Sequence, residues 1–265
     1  MKMEIDWFNA NDKTKSVFDA KEHSKSNHRE HVDEKLVPKR AVLFCMGKAM
    51  GIIKNNFETE TIMEMLPGFI TRSEVVKIKG HPDVCFLHGG YGAPQTADVV
   101  ETLHALGVEE FMLFGMIGGF AKDIQIGDVT FPNRIKAEDG VSFHYGEPKE
   151  YVENSFPEIF SDMYSYFEKN GHNCMREDMV TSVAVFRQTF EKEAFWREKG
   201  CIGVEMEGAG YLATCRFLKV PHSAAFFVSD KHPLSQDQKW EWRTEKFTQI
   251  QTKFVCDAVK YFLNK

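Results

Sequence analysis

Val84-Cys85-Phe86-Leu87-His88-Gly89-Gly90-Tyr91-Gly92-Ala93-Pro94 is the stretch on which the fold class turns. A short apolar run enters a cluster of glycines, and Thr96 to Leu106 then shows helical periodicity closed by Gly107. The combination predicts a buried strand, a tight turn and a helix. Phe111-Met112-Leu113-Phe114-Gly115 supplies a second apolar run ending in glycine, so the unit reads strand, turn, helix, strand. Alternation of this kind is the mark of an α/β fold.

Working outward, the first clear apolar run upstream is Arg40-Ala41-Val42-Leu43-Phe44-Cys45-Met46-Gly47. Residues 1–38 before it are rich in Lys, Asp, Glu, His and Ser and read as a peripheral arm. Downstream, Asp128 to Phe131 follows an Ile126-Gly127-Asp128 turn as a short strand, Tyr151 to Asn170 has a helical pattern closed by Gly171, and Met179 to Phe186 is strand-like. Helices are expected over Gly208 to Phe217 and Trp240 to Leu263, flanking a strand from Ser223 to Val228. No repeat or Pro/Ser linker divides these elements, so 39–265 reads as one domain.

The chain has 265 residues, 43% of them apolar, and a formal charge of −6. That length supports a self-sufficient core. The net charge and the lack of a basic cluster argue against a nucleic-acid polymer as partner. Cys45, Cys85, Cys174, Cys201, Cys215 and Cys256 stand singly, with no CxxC pair and no Cys/His spacing suited to zinc. They are expected to be reduced, buried thiols of a soluble cytoplasmic protein, with no metal and no membrane span.

Three local features carry chemistry. Gly90-Tyr91-Gly92-Ala93-Pro94 opens a helix, where backbone N–H groups favour anions, although such a turn is as often purely structural. Glu205 and Glu207 stand two apart in Ile202-Gly203-Val204-Glu205-Met206-Glu207-Gly208-Ala209-Gly210; a Glu pair usually marks a solvated strand end, but these small and apolar flanks place at least one carboxylate against a ligand. A carboxylate can accept both hydroxyls of a ribose. Asp230 ends the apolar run Ala224-Ala225-Phe226-Phe227-Val228, at the strand end where open parallel sheets bind ligands, or where an Asp caps the next helix.

Together, G-V-E-M-E-G-A, a strand ending in Ser229-Asp230 and Arg243 thirteen residues later resemble the nucleoside phosphorylase and nucleosidase superfamily, with its hexameric purine nucleoside phosphorylases and uridine phosphorylases. The G-x-G-x-P turn at Gly90 to Pro94, the loop Gly115 to Gly119 and the turn Ile126 to Asp128 extend the likeness over most of the chain from Val42. The resemblance implies a single-domain three-layer α/β/α fold with a central mixed, partly barrel-like sheet. It further implies that Glu207 holds the ribose hydroxyls, that Met206 and Glu205 line the sugar, that Phe186 stacks on the base, and that Tyr91 and Gly118 line the site. Asp230 would protonate the departing purine, modulated by Arg243, and burial would have to raise its pKa for that task. No cofactor is implied beyond inorganic phosphate as possible co-substrate. The implied partners are a small-molecule nucleoside and further copies of the chain, as a dimer or trimer of dimers, with a His or Arg donated by a neighbour; His23, His28, His31 and Arg72 are the candidates.

Where the family binds phosphate, this chain departs from its pattern. Gly51 stands where an Arg is expected after Gly47-Lys48, and Leu113 and Met116 replace an Arg and a hydroxyl around Gly115. Gly47, Lys48, Gly90, Gly92, Gly115 and Met116 thus form at most a weak anion loop, since Lys48 cannot reproduce an Arg fork. Three readings follow: phosphorolysis with help from a neighbouring subunit, hydrolysis by water, or a non-catalytic nucleoside-binding protein.

Overall fold

The computed structural model describes residues 14–26, 37–146, 149–242 and 245–265. The chain runs through α1 (Ala20–Ser24), β1 (Arg40–Phe44), α2 (Ala49–Asn56), β2 (Thr59–Met63), β3 (Val75–Ile78), β4 (His81–His88), α3 (Ala93–Ala105) and β5 (Glu110–Gly119). It continues with β6 (Val129–Thr130), β7 (Arg134–Glu138), β8 (Tyr151–Glu153), α4 (Met163–Lys169), β9 (Cys174–Met175), β10 (Met179–Ser182) and α5 (Phe190–Glu198). The last third holds β11 (Gly203–Glu205), α6 (Gly208–Leu218), β12 (His222–Lys231), β13 (Glu241–Trp242) and α7 (Phe247–Leu263).

The hub of the mixed sheet is β5. Along one edge β12 runs parallel to it, from His222 opposite Phe111 to Lys231 opposite Gly119. Its other edge is shared: β1 pairs in parallel from Arg40 opposite Glu110 to Phe44 opposite Phe114, while β11 meets Gly119 and Gly118 antiparallel through Gly203 and Val204. Two strands therefore approach head-on along one edge, and their carboxyl ends converge over Gly115 to Ile117. A crevice opens at that meeting point, with β4 beside β1 and β10 beside β11 as its flanks.

Alternation along the strands builds the two faces. Phe111, Leu113 and Ile117 of β5 pack with Val99, Leu103 and Leu212 from α3 and α6. Met112 and Phe114 point the other way, onto Ile53, Phe167 and Phe254 of α2, α4 and α7. This is the expected three-layer α/β/α arrangement; the sheet is open, however, and its pairings do not close into a barrel. Each fully buried Phe or Leu contributes about 1.5–3 kcal/mol.

Three expected elements differ. Tyr151 to Asn170 is not one helix: Tyr151–Glu153 pairs antiparallel with β7, and Pro157, which has no N–H to donate, precedes a 3₁₀ turn at Glu158–Phe160 before α4. The strand from Met179 stops at Ser182, and Val185–Arg187 is a 3₁₀ turn. Trp240 to Leu263 also divides, because Glu241 and Trp242 pair with Lys231 and Asp230 before α7 begins at Phe247.

Part of the N-terminal arm is described, and it is docked: His23 of α1 lies 5.1 Å from the Phe18 ring and 5.5 Å from that of Phe69. His28 and His31 lie outside the described residues. All six cysteines are free, and Cys174 and Cys256 are half-buried rather than buried as expected. Among the described residues no helix is long and apolar enough to cross a membrane, and no cluster suits a metal ion.

Candidate active site

Glu205 and Glu207 sit on the turn between β11 and α6, both nearly inaccessible. The Glu205 carboxylate turns inward. Its Oε2 accepts the backbone N–H groups of Glu207 and Gly208 at 2.6 Å each, and its Oε1 accepts the Thr181 hydroxyl. Thr181 in turn accepts the N–H of Ala209 at 2.8 Å. Glu205 thus holds the start of α6 through these contacts. The neighbouring Glu207 reaches across the crevice, where its Oε1 accepts the Gly92 N–H at 2.6 Å. Burial first, and for Glu205 the nearby charge of Glu207, raises the proton affinity of this coupled pair.

That contact reassigns the glycine turn. Gly92 has φ +79° at the N-cap of α3, a conformation that favours glycine, and the anion its N–H receives is the protein's own Glu207. Tyr91 is half-exposed, and its hydroxyl would lie 2.8 Å from a Cβ added at Gly47, so Gly47 is the space beneath Tyr91. A Cβ at Gly115 would meet the Phe226 ring at 2.6 Å, which makes Gly115 a packing residue. Met116 is half-buried and receives Gln251 Nε2 at 3.9 Å, and Leu113 is fully buried in the α3/α6 face. Lys48 and Gly51 are exposed. Of the six residues expected to form an anion loop, Gly92 donates to Glu207 and Gly115 packs against Phe226, while Gly47 and Lys48 are exposed.

Asp230 lies across β5 from the glutamates. A bulge at Ser229 shifts the register, so that Val228 faces Ile117 and Asp230 faces Gly118. Gly118 is flanked by Val204 on its other edge, which sets Val204 and Asp230 two strand spacings apart, roughly 10 Å. The Asp230 carboxylate meets three donors: Ser229 Oγ at 2.5 Å, Trp240 Nε1 at 2.7 Å and His232 Nε2 at 3.3 Å. His232 Nδ1 in turn lies 2.7 Å from Glu193 Oε1 on α5. Burial alone would lower the imidazole, but the Asp230 and Glu193 carboxylates outweigh it and raise His232 from 6.5 to about 9. At neutral pH His232 is therefore protonated beside the Asp230 carboxyl group. Gly118, expected to line the site, is the opening His232 occupies, because a Cβ there would stand 2.3 Å from Nε2.

Phe186 is almost fully exposed on the 3₁₀ turn after β10. It lines a cleft of about 330 Å³ with Phe190, Glu193, His232 and Trp240, directly beside Asp230. Met206 is half-buried on the β11–α6 turn. Arg243 lies outside the described residues. Trp242 stacks on Trp240 at 5.5 Å and contacts Phe247 of α7 at 5.8 Å, so one Trp covers Asp230 and the other anchors the last helix.

The local sequence pattern does not by itself mark His232, Glu193 or Thr181 as site residues. The signal for His232 existed: it stands two residues after Asp230, and period-two alternation places the pair on one face. Glu193 had none, because α5 was not expected.

A model describing the phosphorylase superfamily matches residues 39–264. A guanosine phosphorylase from Halorubrum lacusprofundi is 27% identical over 182 residues, 69% of this chain and 75% of its own length. An aminodeoxyfutalosine nucleosidase from Helicobacter pylori is 23% identical over 170 residues, 62% of this chain and 74% of its own. In fold, the purine nucleoside phosphorylase of Toxoplasma gondii, solved in complex with immucillin-H, superposes with a TM-score of 0.73 at 17% identity, over 87% of this chain and 92% of that one.

Proposed function

This chain belongs to the phosphorylase superfamily, and from that premise we propose that it cleaves the N-glycosidic bond of a purine nucleoside with water as the nucleophile. The observation that carries the reading is the register at Gly118, which sets the Glu207 turn and Asp230 on opposite edges of one strand. A nucleoside laid over the end of β5 would present its sugar to Glu207 and its base to Asp230. Glu207 Oε1 accepts the Gly92 N–H, and the same carboxylate would accept a ribose hydroxyl. An accepted hydroxyl bond to a carboxylate strengthens as the sugar gains positive charge. Phe186, Phe190 and Trp240 supply aromatic surface for the base.

Water is favoured over phosphate by the state of the loops. A phosphate dianion in a closed crevice needs cationic partners, and here Leu113 is buried in the core, Gly51 has no side chain, and the Gly92 N–H is taken by Glu207. Phosphorolysis is the second reading. It draws on Lys48 and on Arg72, both exposed, with Arg72 presented to a neighbour in a homo-oligomer.

The test is release of free base from inosine, guanosine, adenosine and adenosine monophosphate, with and without inorganic phosphate. Equal release in phosphate-free buffer is expected. Release that requires phosphate would move the assignment to phosphorolysis, and no release from any of the four would overturn cleavage itself.

A further inference from the structure

Glu193, His232 and Asp230 form a line of three groups ending at the place assigned to the base. Their contacts are 2.7 Å between Glu193 Oε1 and His232 Nδ1, and 3.3 Å between His232 Nε2 and Asp230 Oδ2. The imidazole is fixed from several sides: its backbone N–H donates to Gly119 O at 2.8 Å, Phe120 lies 6.5 Å from its ring, and the missing side chain of Gly118 leaves the space for Nε2. Among the described residues, the charged groups facing it are Asp230 from β12 and Glu193 from α5; Trp240 and Phe120 bring no charge, and Lys192 on α5 is turned to Glu138 at 3.2 Å. The same imidazole also lines the cleft, so it reaches the space where a base would sit.

We propose that His232, oriented by Glu193, is the proton store for the departing base and acts through Asp230. The inference rests on the cleavage reading above. In the loaded state Nε2–H faces Asp230 Oδ2. As the C1′–N bond breaks and its electron pair moves onto the purine, the Asp230 carboxylate accepts the Nε2 proton and hands it on to the base, ending as the carboxylate it began as. His232 becomes neutral. The nucleophile, on bonding to C1′, loses one proton, which returns to the imidazole through solvent and restores the starting state. Atoms and charge balance without any further reactant. His232 is thus a positioning residue whose proton affinity, held up by two carboxylates, keeps the relay loaded at neutral pH.

The experiment compares two leaving groups in full-length protein: the best cleaved of inosine, guanosine and adenosine, and p-nitrophenyl β-D-riboside, whose phenolate departs without a proton. His232→Gln is expected to lower kcat for the purine nucleoside roughly 100-fold and to cost the nitrophenyl riboside less than about a tenth of that factor. Glu193→Gln, which removes one carboxylate, is expected to move the alkaline limb of the kcat profile to lower pH. Parallel losses on both substrates, or an alkaline limb that Glu193→Gln leaves in place, would overturn the relay while leaving the cleavage reading intact. If the wild-type protein cleaves neither substrate, the cleavage reading fails first and the relay with it.

Discussion

The clamp on His232 makes a prediction about stability that needs no substrate. Its proton affinity is raised in the folded chain from 6.5 to about 9, burial being outweighed by Asp230 and Glu193. A group raised on folding stabilises the protein fully below its unfolded value, and that contribution is lost as pH climbs through the folded value. Each tenfold gain in proton affinity is worth about 1.4 kcal/mol, which sets a ceiling of about 3 kcal/mol for this clamp. Solvent reaches the imidazole from the cleft, and screening reduces the figure to about 1–2 kcal/mol. The measurement is urea unfolding of wild type and His232→Gln at pH 6 and pH 9.5, taken as the difference between the two proteins so that groups common to both cancel. The wild-type advantage should shrink by about 1–2 kcal/mol between the two pH values, most of it between pH 6.5 and 9. A difference that stays flat, or grows with pH, would refute the placement of a proton on His232 between two carboxylates.

Two further outcomes follow from close contacts. Gly118→Ala places a Cβ where His232 Nε2 stands, 2.3 Å away, so the imidazole must leave Asp230; kinetics should reproduce the His232→Gln pattern, and unfolding should show a cost of about 1–3 kcal/mol. Glu205→Ala strips the acceptor from the N–H groups of Glu207 and Gly208 and from the Thr181 hydroxyl in a buried place, which should cost about 3 kcal/mol or more by denaturant unfolding; a loss under about 1 kcal/mol would return Glu205 to the pocket.

The fold was legible wherever a strand is buried on both faces, because such strands read as unbroken apolar runs, and β1, β4, β5 and β12 were all visible in that way. Failures clustered where a helical pattern crossed a breaker. Pro157 splits the segment from Tyr151, and the pairing of Glu241 and Trp242 with β12 delays α7, a tertiary contact that local periodicity does not encode. In the site, Glu207 and Asp230 stood out because carboxylates amid small or apolar residues need partners. The direction each side chain takes did not. Glu205 and Glu207 share flanks and differ by two residues, yet one points under the backbone and the other across the crevice.

The same distinction bears on the nucleophile. A glycine turn at a helix start attracts an anion through its backbone, and the sequence alone cannot say whether that anion is a ligand or a side chain. Here Glu207 has taken the place, so the Gly92 N–H is engaged by a side chain of the chain itself. On the base side the charges run the other way. Asp230 is met by a hydroxyl, an indole N–H and an imidazolium, an arrangement suited to passing a proton outward. If a nucleoside lies as proposed, with its sugar at Glu207 and its base at Asp230, carboxylates on one side and hydrogen-bond donors on the other suit departure of a neutral purine from a cationic sugar. On the hydrolytic proposal the attacking species is water, and Arg72 of a second copy is the source of charge that the phosphorolytic alternative would need.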